Sequence, residues 1–140
     1  MMNMTMQMME MHAAEMPMRN MDLAMMQECI EACSACEQAC TVCASCVTGE
    51  DSAIHMETCM NTADMCNTMM RMMLRSAGMH MESMTAMLQA TMTQCNACAE
   101  ECMKHADMHE DCRMCAEACR QCAMACQKMM DAMTTSMPMG

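Results

Sequence analysis

CIEACSACEQACTVC (29–43) and CRMCAEACRQCAMAC (112–126) decide the fold of this 140-residue chain. In the first, Cys29, Cys33, Cys36, Cys40 and Cys43 are spaced four, three, four, three; in the second, Cys112, Cys115, Cys119, Cys122 and Cys126 are spaced three, four, three, four. Alternating steps of three and four trace one stripe along an α-helix, the a/d seam of coiled-coil packing. Thiols stand here where Leu and Ile ordinarily do. Such a seam is a poor choice for packing alone and a good one for holding a soft metal ion.

Working outward, the whole composition leans the same way. The chain has 33 Met and 16 Cys, no Phe, Tyr or Trp, and only seven Leu, Ile and Val together. Three Gly and two Pro are too few for a turn-rich β fold, while Ala, Met, Glu and Gln favour helix. The length suits one domain with a real core. A formal charge of −11 repels phosphate backbones, which argues against nucleic acid as a partner. No apolar run approaches the roughly 18 residues of a membrane span, and no export signal is visible.

Turn signals divide the chain. Residues 1–19 form a methionine-rich arm, a flexible segment or short helix, that includes Met1, Met2, Met4, Met6, Met8, Met9, Met11, Met16 and Met18 with His12 and Pro17. Gly49 and Gly78 read as residues just past helix ends. Asp107-Met-His-Glu110 reads as a capping box opening a helix near Met108. The expected helices are roughly 20–48, 51–77, 80–105 and 108–133, with a tail at 135–140. Short loops make sequential helices antiparallel, so the predicted fold is all-α: an up-down-up-down four-helix bundle over 20–134.

Extending the seam gives each helix an inward set. The second helix presents Met56, Cys59, Ala63, Cys66, Met70 and Met73; the third presents Met81, Met84, Leu88, Thr91, Cys95, Cys98, Cys102 and His105. Met26 precedes the first seam, Met129 and Met133 follow the last, and Cys46 is rotated toward an edge. Antiparallel order then gives the bundle a polarity. One end collects methionines from 21–26, 69–73, 79–87 and 129–139, and the other gathers Cys46, His55, Cys102, His105, His109 and Cys112.

Thiolate and thioether together favour Cu(I), which accepts low coordination numbers. Each Cu(I) that displaces a thiol proton leaves the interior neutral, so many ions can be buried. With bridging thiolates the capacity approaches roughly one ion per cysteine. The methionine mouth suggests an access path for copper, although Met also packs cores well. Met26, Met70, Met73, Met81, Met84, Met129 and Met133 are the better ligand candidates there. His55, His105 and His109 read first as polar end residues, with His105 and His109 kept as metal candidates. Disulfides fit poorly, because neighbouring thiols lie side by side on one helix. The CxxC pairs also match zinc ribbons, and Cys29-x3-Cys33-x2-Cys36 matches a radical iron–sulfur spacing. Both of those need loops where this sequence has continuous heptads. No nucleophile–base–orienter set indicates an enzyme.

ECIEACSACEQACTVCASC (28–46) and CAEECMKHADMHEDCRMCAEACRQCAMAC (98–126) resemble the copper storage protein family over about residues 22–130. The resemblance implies a four-helix bundle whose cysteine-lined interior holds many Cu(I) ions. It further implies Cu(I) ligation by Cys29, Cys33, Cys36, Cys40, Cys43, Cys46, Cys59, Cys66, Cys95, Cys98, Cys102, Cys112, Cys115, Cys119, Cys122 and Cys126. The methionine load exceeds what the family leads one to expect. The expected function is copper storage or sequestration. Its alternatives are a Cu(I) donor to a copper enzyme and a general soft-metal (Zn/Cd) detoxification protein. Expected partners are copper ions, a copper chaperone or recipient enzyme, and a second copy in a homo-oligomer. The methionine bias leans toward an exported, periplasmic protein whose signal is absent from this sequence; the alternative is cytoplasmic.

Overall fold

The computed structural model describes residues 4–12 and 23–136. These residues form five α-helices: α1 Met4–Met11, α2 Leu23–Cys43, α3 Ser52–Leu74, α4 Met81–Met103 and α5 Glu110–Ser136, with a 3-10 turn at Ser76–Gly78 before α4. Met1, Met2, Met16, Pro17 and Met18 of the arm, and residues 137–140 of the tail, lie outside the described residues. No described helix is long and apolar enough to cross a membrane.

Around the bundle, α2 packs against α3 and α5, and α4 packs against the same two. Sulfur contacts fix the directions. Cys36 meets Cys119 and Cys40 meets Cys115, so numbers fall along α5 as they rise along α2. Cys36 meets Cys95 and Cys40 meets Cys98, so α2 and α4 run parallel across the diagonal. α1 lies on α2 and adds Met9 to the core.

The connections depart from expectation in three places. α2 stops at Cys43, so Gly49 is not its terminal residue. Gly49 sits instead in the turn into α3 at φ 94°, a left-handed conformation that Gly adopts without strain. Its carbonyl accepts from Ser52 N (3.2 Å) and Ser52 Oγ (2.9 Å). α3 ends at Leu74, and Gly78 falls inside the 3-10 turn. The box at 107–110 does not open α5: the His109 carbonyl accepts from Cys112 N (3.1 Å) and Arg113 N (3.4 Å), which starts the helix at Glu110. At the head of α4, His80 Nδ1 accepts from Ser83 N, an imidazole cap that follows no common capping pattern.

Threonine, a modest helix former, is tolerated because its hydroxyl donates one turn back. Buried Thr62 bonds Thr58 O (2.7 Å) and buried Thr91 bonds Met87 O (2.8 Å). Gln94 Nε2 then donates to Thr62 Oγ1 (3.1 Å), a polar tie between α3 and α4.

Candidate metal centre

Fifteen of the sixteen cysteines are buried, and Cys46 is half-buried. α2 and α5 supply most of the sulfur because both keep the three-four spacing for their full length. Their thiols meet in rungs: Cys33–Cys122 at 3.7 Å, Cys36–Cys119 at 3.7 Å, Cys40–Cys115 at 3.6 Å and Cys43–Cys112 at 3.7 Å. α3 and α4 fill the flanks. Cys66 lies 3.7 Å from Cys95 and 3.9 Å from Cys122, and Cys98 lies 3.8 Å from Cys40.

These contacts assemble four-membered groups whose ligand atoms all lie within 4.8 Å of one another. Toward the methionine end stand Cys36, Cys66, Cys95 and Cys122; then Cys40, Cys98, Cys115 and Cys119; then Cys59, Cys98, Cys102 and Cys115. At the histidine end, Cys43, Cys46 and Cys112 join His55, and Cys43, Cys59 and Cys102 join the same imidazole. Cys29 and Cys126 pair nearest the methionines, and the Cys126 contact pushes the Cys29 thiol up.

Protons in this interior are shared unequally. The Cys115 thiol is held well below the ordinary range by hydrogen bonding with Cys102, then Cys119. Cys40 and Cys102, which both face Cys115, are pushed up by it. Hydrogen bonding from Cys102 likewise brings Cys43 down to about 6. A charged sulfur is thus tolerated where neighbouring S–H groups donate to it, and a soft cation can replace those donors.

Beyond the thiols the histidine end carries charge. His55, fully buried, directs Nε2 toward Cys43 Sγ (3.4 Å), Cys59 Sγ (3.6 Å) and the Cys43 carbonyl (3.1 Å). Its Nδ1 has no hydrogen-bond partner but lies 3.6 Å from Glu101 Oε2. Burial opposes charge on this ring, yet Cys43 and Glu101 outweigh it and raise the His55 pKa. Glu101, itself buried, also meets His105 Nε2 at 2.9 Å and Lys104 Nζ at 3.5 Å. The His55 and His105 rings meet edge-on at 5.1 Å. His109 is half-buried at the start of α5.

At the opposite end Met26, Met73, Met84, Met129 and Met133 are buried, and Met70 and Met81 pack partly buried against them. Two positions differ from the sequence expectation. Met56 is 47% exposed, and His55 takes the inward place. Both precede Cys59 by an allowed seam step, so hydropathy favoured the methionine and geometry the histidine. Met69 is buried, whereas Met70 is only half-buried. Glu101 was legible only as the partner one turn before His105.

The family profile described as copper storage protein matches residues 22–131. Among solved structures, the copper storage protein Ccsp from Streptomyces lividans loaded with 10 copper equivalents is 42% identical. That match has a TM-score of 0.77 and covers 81% of this chain and 89% of that one. A cytosolic copper storage protein from the same organism, with five coppers, is 43% identical at a TM-score of 0.73, covering 77% and 93%. A histidine-to-alanine mutant of Streptomyces lividans Ccsp is 41% identical at a TM-score of 0.76, covering 80% and 97%. No curated protein matches. With a sulfur-lined bundle, a family match over most of its length and relatives above 40% identity, this chain belongs to the copper storage protein family.

Proposed function

We propose that this protein stores copper, holding many Cu(I) ions on cysteine thiolates inside its bundle. One observation carries the reading: the thiols form overlapping four-membered groups that run from the methionine end to the histidine end. Cu(I) suits them because each ion replaces one proton, so a filled interior carries no net charge. The ligand set is Cys29, Cys33, Cys36, Cys40, Cys43, Cys46, Cys59, Cys66, Cys95, Cys98, Cys102, Cys112, Cys115, Cys119, Cys122 and Cys126. His55 serves at the histidine end, where its Nε2 faces four sulfurs. His105 stands behind it, its ring edge-on to His55; His109 is a further candidate at this end, and Met26, Met70, Met73, Met81, Met84, Met129 and Met133 guard the other mouth.

The role is storage rather than catalysis, with the arm at 1–19 and tail at 135–140 as appendages of the storage bundle. The neighbour described as cytosolic supports a cytosolic site over the exported one that the methionine bias suggests. A chaperone that delivers Cu(I), or an enzyme that receives it, completes the scheme. Anaerobic titration with Cu(I) against a competing chelator tests the reading. Saturation near the cysteine count supports it; saturation at one or two ions overturns it.

The four-sulfur groups also favour a second reading, tetrahedral Zn(II) or Cd(II) holding. Neighbouring groups share sulfurs, however, and four thiolates around a divalent ion leave about two buried negative charges. Zn(II) that resists displacement by Cu(I) would decide for the second reading.

A further inference from the structure

The geometry at the histidine end points to a modification site. We propose that Cys46 and Cys112 are an oxidisable pair that a hydroperoxide converts to a disulfide. Their sulfurs stand 3.2 Å apart, against 3.5 Å for Cys43–Cys46 and 3.7 Å for Cys43–Cys112. Closing to a bond of about 2.05 Å asks for roughly 1 Å of movement.

Cys46 is placed to supply that movement. α2 ends at Cys43, so Cys46 sits on a turn held by one backbone bond, Cys46 N to Cys43 O (3.0 Å), rather than in a helical ladder. It is also the one cysteine of sixteen that is not buried, so a peroxide in solution meets it first. Cys112 lies in the first turn of α5 directly across from Cys46, so its sulfur is in reach of whatever forms there. The remaining thiols are packed inside helices and shielded.

The chemistry balances. The Cys46 thiolate attacks a peroxide oxygen, the O–O bond breaks, and water leaves behind a sulfenic acid. The Cys112 thiolate attacks that sulfur; the S–S bond forms, and hydroxide departs with the remaining thiol proton as a second water. Two thiols lose two electrons and two protons, and one hydrogen peroxide becomes two waters.

Both sulfurs belong to the group with Cys43 and His55. Oxidation withdraws them from it and ties the turn after α2 to the start of α5. That consequence rests on the storage reading, whereas the disulfide itself does not.

The test uses the full chain, reduced and metal-free, treated with hydrogen peroxide and then alkylated. Trypsin cleaves after Lys104 and Arg113, which releases Cys112 in a peptide holding no other cysteine. That peptide should appear linked to the fragment bearing Cys46, about two mass units light, before other thiols escape alkylation. Fragment ions should place the bond at Cys46, and C46S should leave Cys112 alkylated. Loading with Cu(I) beforehand should slow the link by about tenfold, since metal-bound thiolates are protected. A bond from Cys112 to Cys43, an unlinked Cys112 while other thiols oxidise, or linking in C46S at the parent rate would overturn the pair. A link that forms equally fast with Cu(I) present leaves the disulfide standing and overturns only the pair's part in copper holding.

Discussion

The two ends of the bundle solve different problems with sulfur. At the methionine end, Met26, Met73, Met129 and Met133 are fully buried thioethers with no proton to lose. Burying each such side chain contributes about 1.5–3 kcal/mol, so this end stabilises the fold whether or not metal is present. At the histidine end, Cys43, Cys59, Cys102 and Cys112 surround His55, with Glu101 behind it. Small thiols bury little area, and the charge there is arranged for a ligand. On the storage reading proposed above, one end clamps the helices and the other receives cargo. Stability and capacity therefore reside in different residues.

The largest expected effect tests capacity. Replacing Cys40, Cys98, Cys115 and Cys119 together by Ser should lower Cu(I) uptake by about four equivalents. Helical circular dichroism should persist, because the methionine clamp is untouched. Uptake reduced by one equivalent or less would break the division.

Next comes stability without metal. M73A should destabilise the metal-free protein by about 2–5 kcal/mol in urea unfolding, while M73L should cost less than about 1.5 kcal/mol. M73L should also keep full Cu(I) capacity; losing an ion would make Met73 a ligand rather than packing.

At the histidine end, E101A should cost about 1–3 kcal/mol, because the buried His55 ring and the half-buried His105 ring lose their carboxylate partner. E100A, one residue away and exposed, should stay within about 0.5 kcal/mol. Equal effects would remove the asymmetry between the buried and exposed glutamates. Copper affinity should fall as pH is lowered, since thiols must give up protons to bind. Any Cu(I) held by methionine alone should ignore that change, which chelator competition across pH reads directly.

The smallest effect belongs to the surface. Lys128 Nζ and Glu28 Oε1 meet at 3.2 Å across α5 and α2, with both side chains more than half exposed. K128A should cost about 0–1 kcal/mol.

Most of this architecture was legible in the cysteine spacing alone. Steps of three and four place a residue on the seam whatever its chemistry, so the burial of fifteen thiols follows from arithmetic. The same arithmetic leaves a one-residue ambiguity wherever no cysteine anchors the phase. His55 against Met56, and Met69 against Met70, are two such places. Hydropathy ranks methionine inside and histidine outside, but histidine gains sulfur and carboxylate partners that only the assembled bundle provides. Glu101 was legible only through its spacing to His105 for the same reason: a charge beside a seam cysteine looks solvated until His55 of α3 and His105 of the turn after α4 converge on it. Most helix ends fell within a few residues of expectation; the end of α2 did not, and α5 starts from the His109 backbone carbonyl rather than from a side-chain box.

Overlap among the sulfur groups has a consequence for how filling must be measured. Cys43, Cys59, Cys98, Cys102 and Cys115 each serve at least two neighbouring groups. On the storage reading, an ion in one group draws on sulfurs of the next, so the interior would fill as a one-dimensional lattice with nearest-neighbour coupling rather than as a rack of separate wells. The measurable quantities are an occupancy-dependent chemical potential for copper and the lengths of the occupied runs.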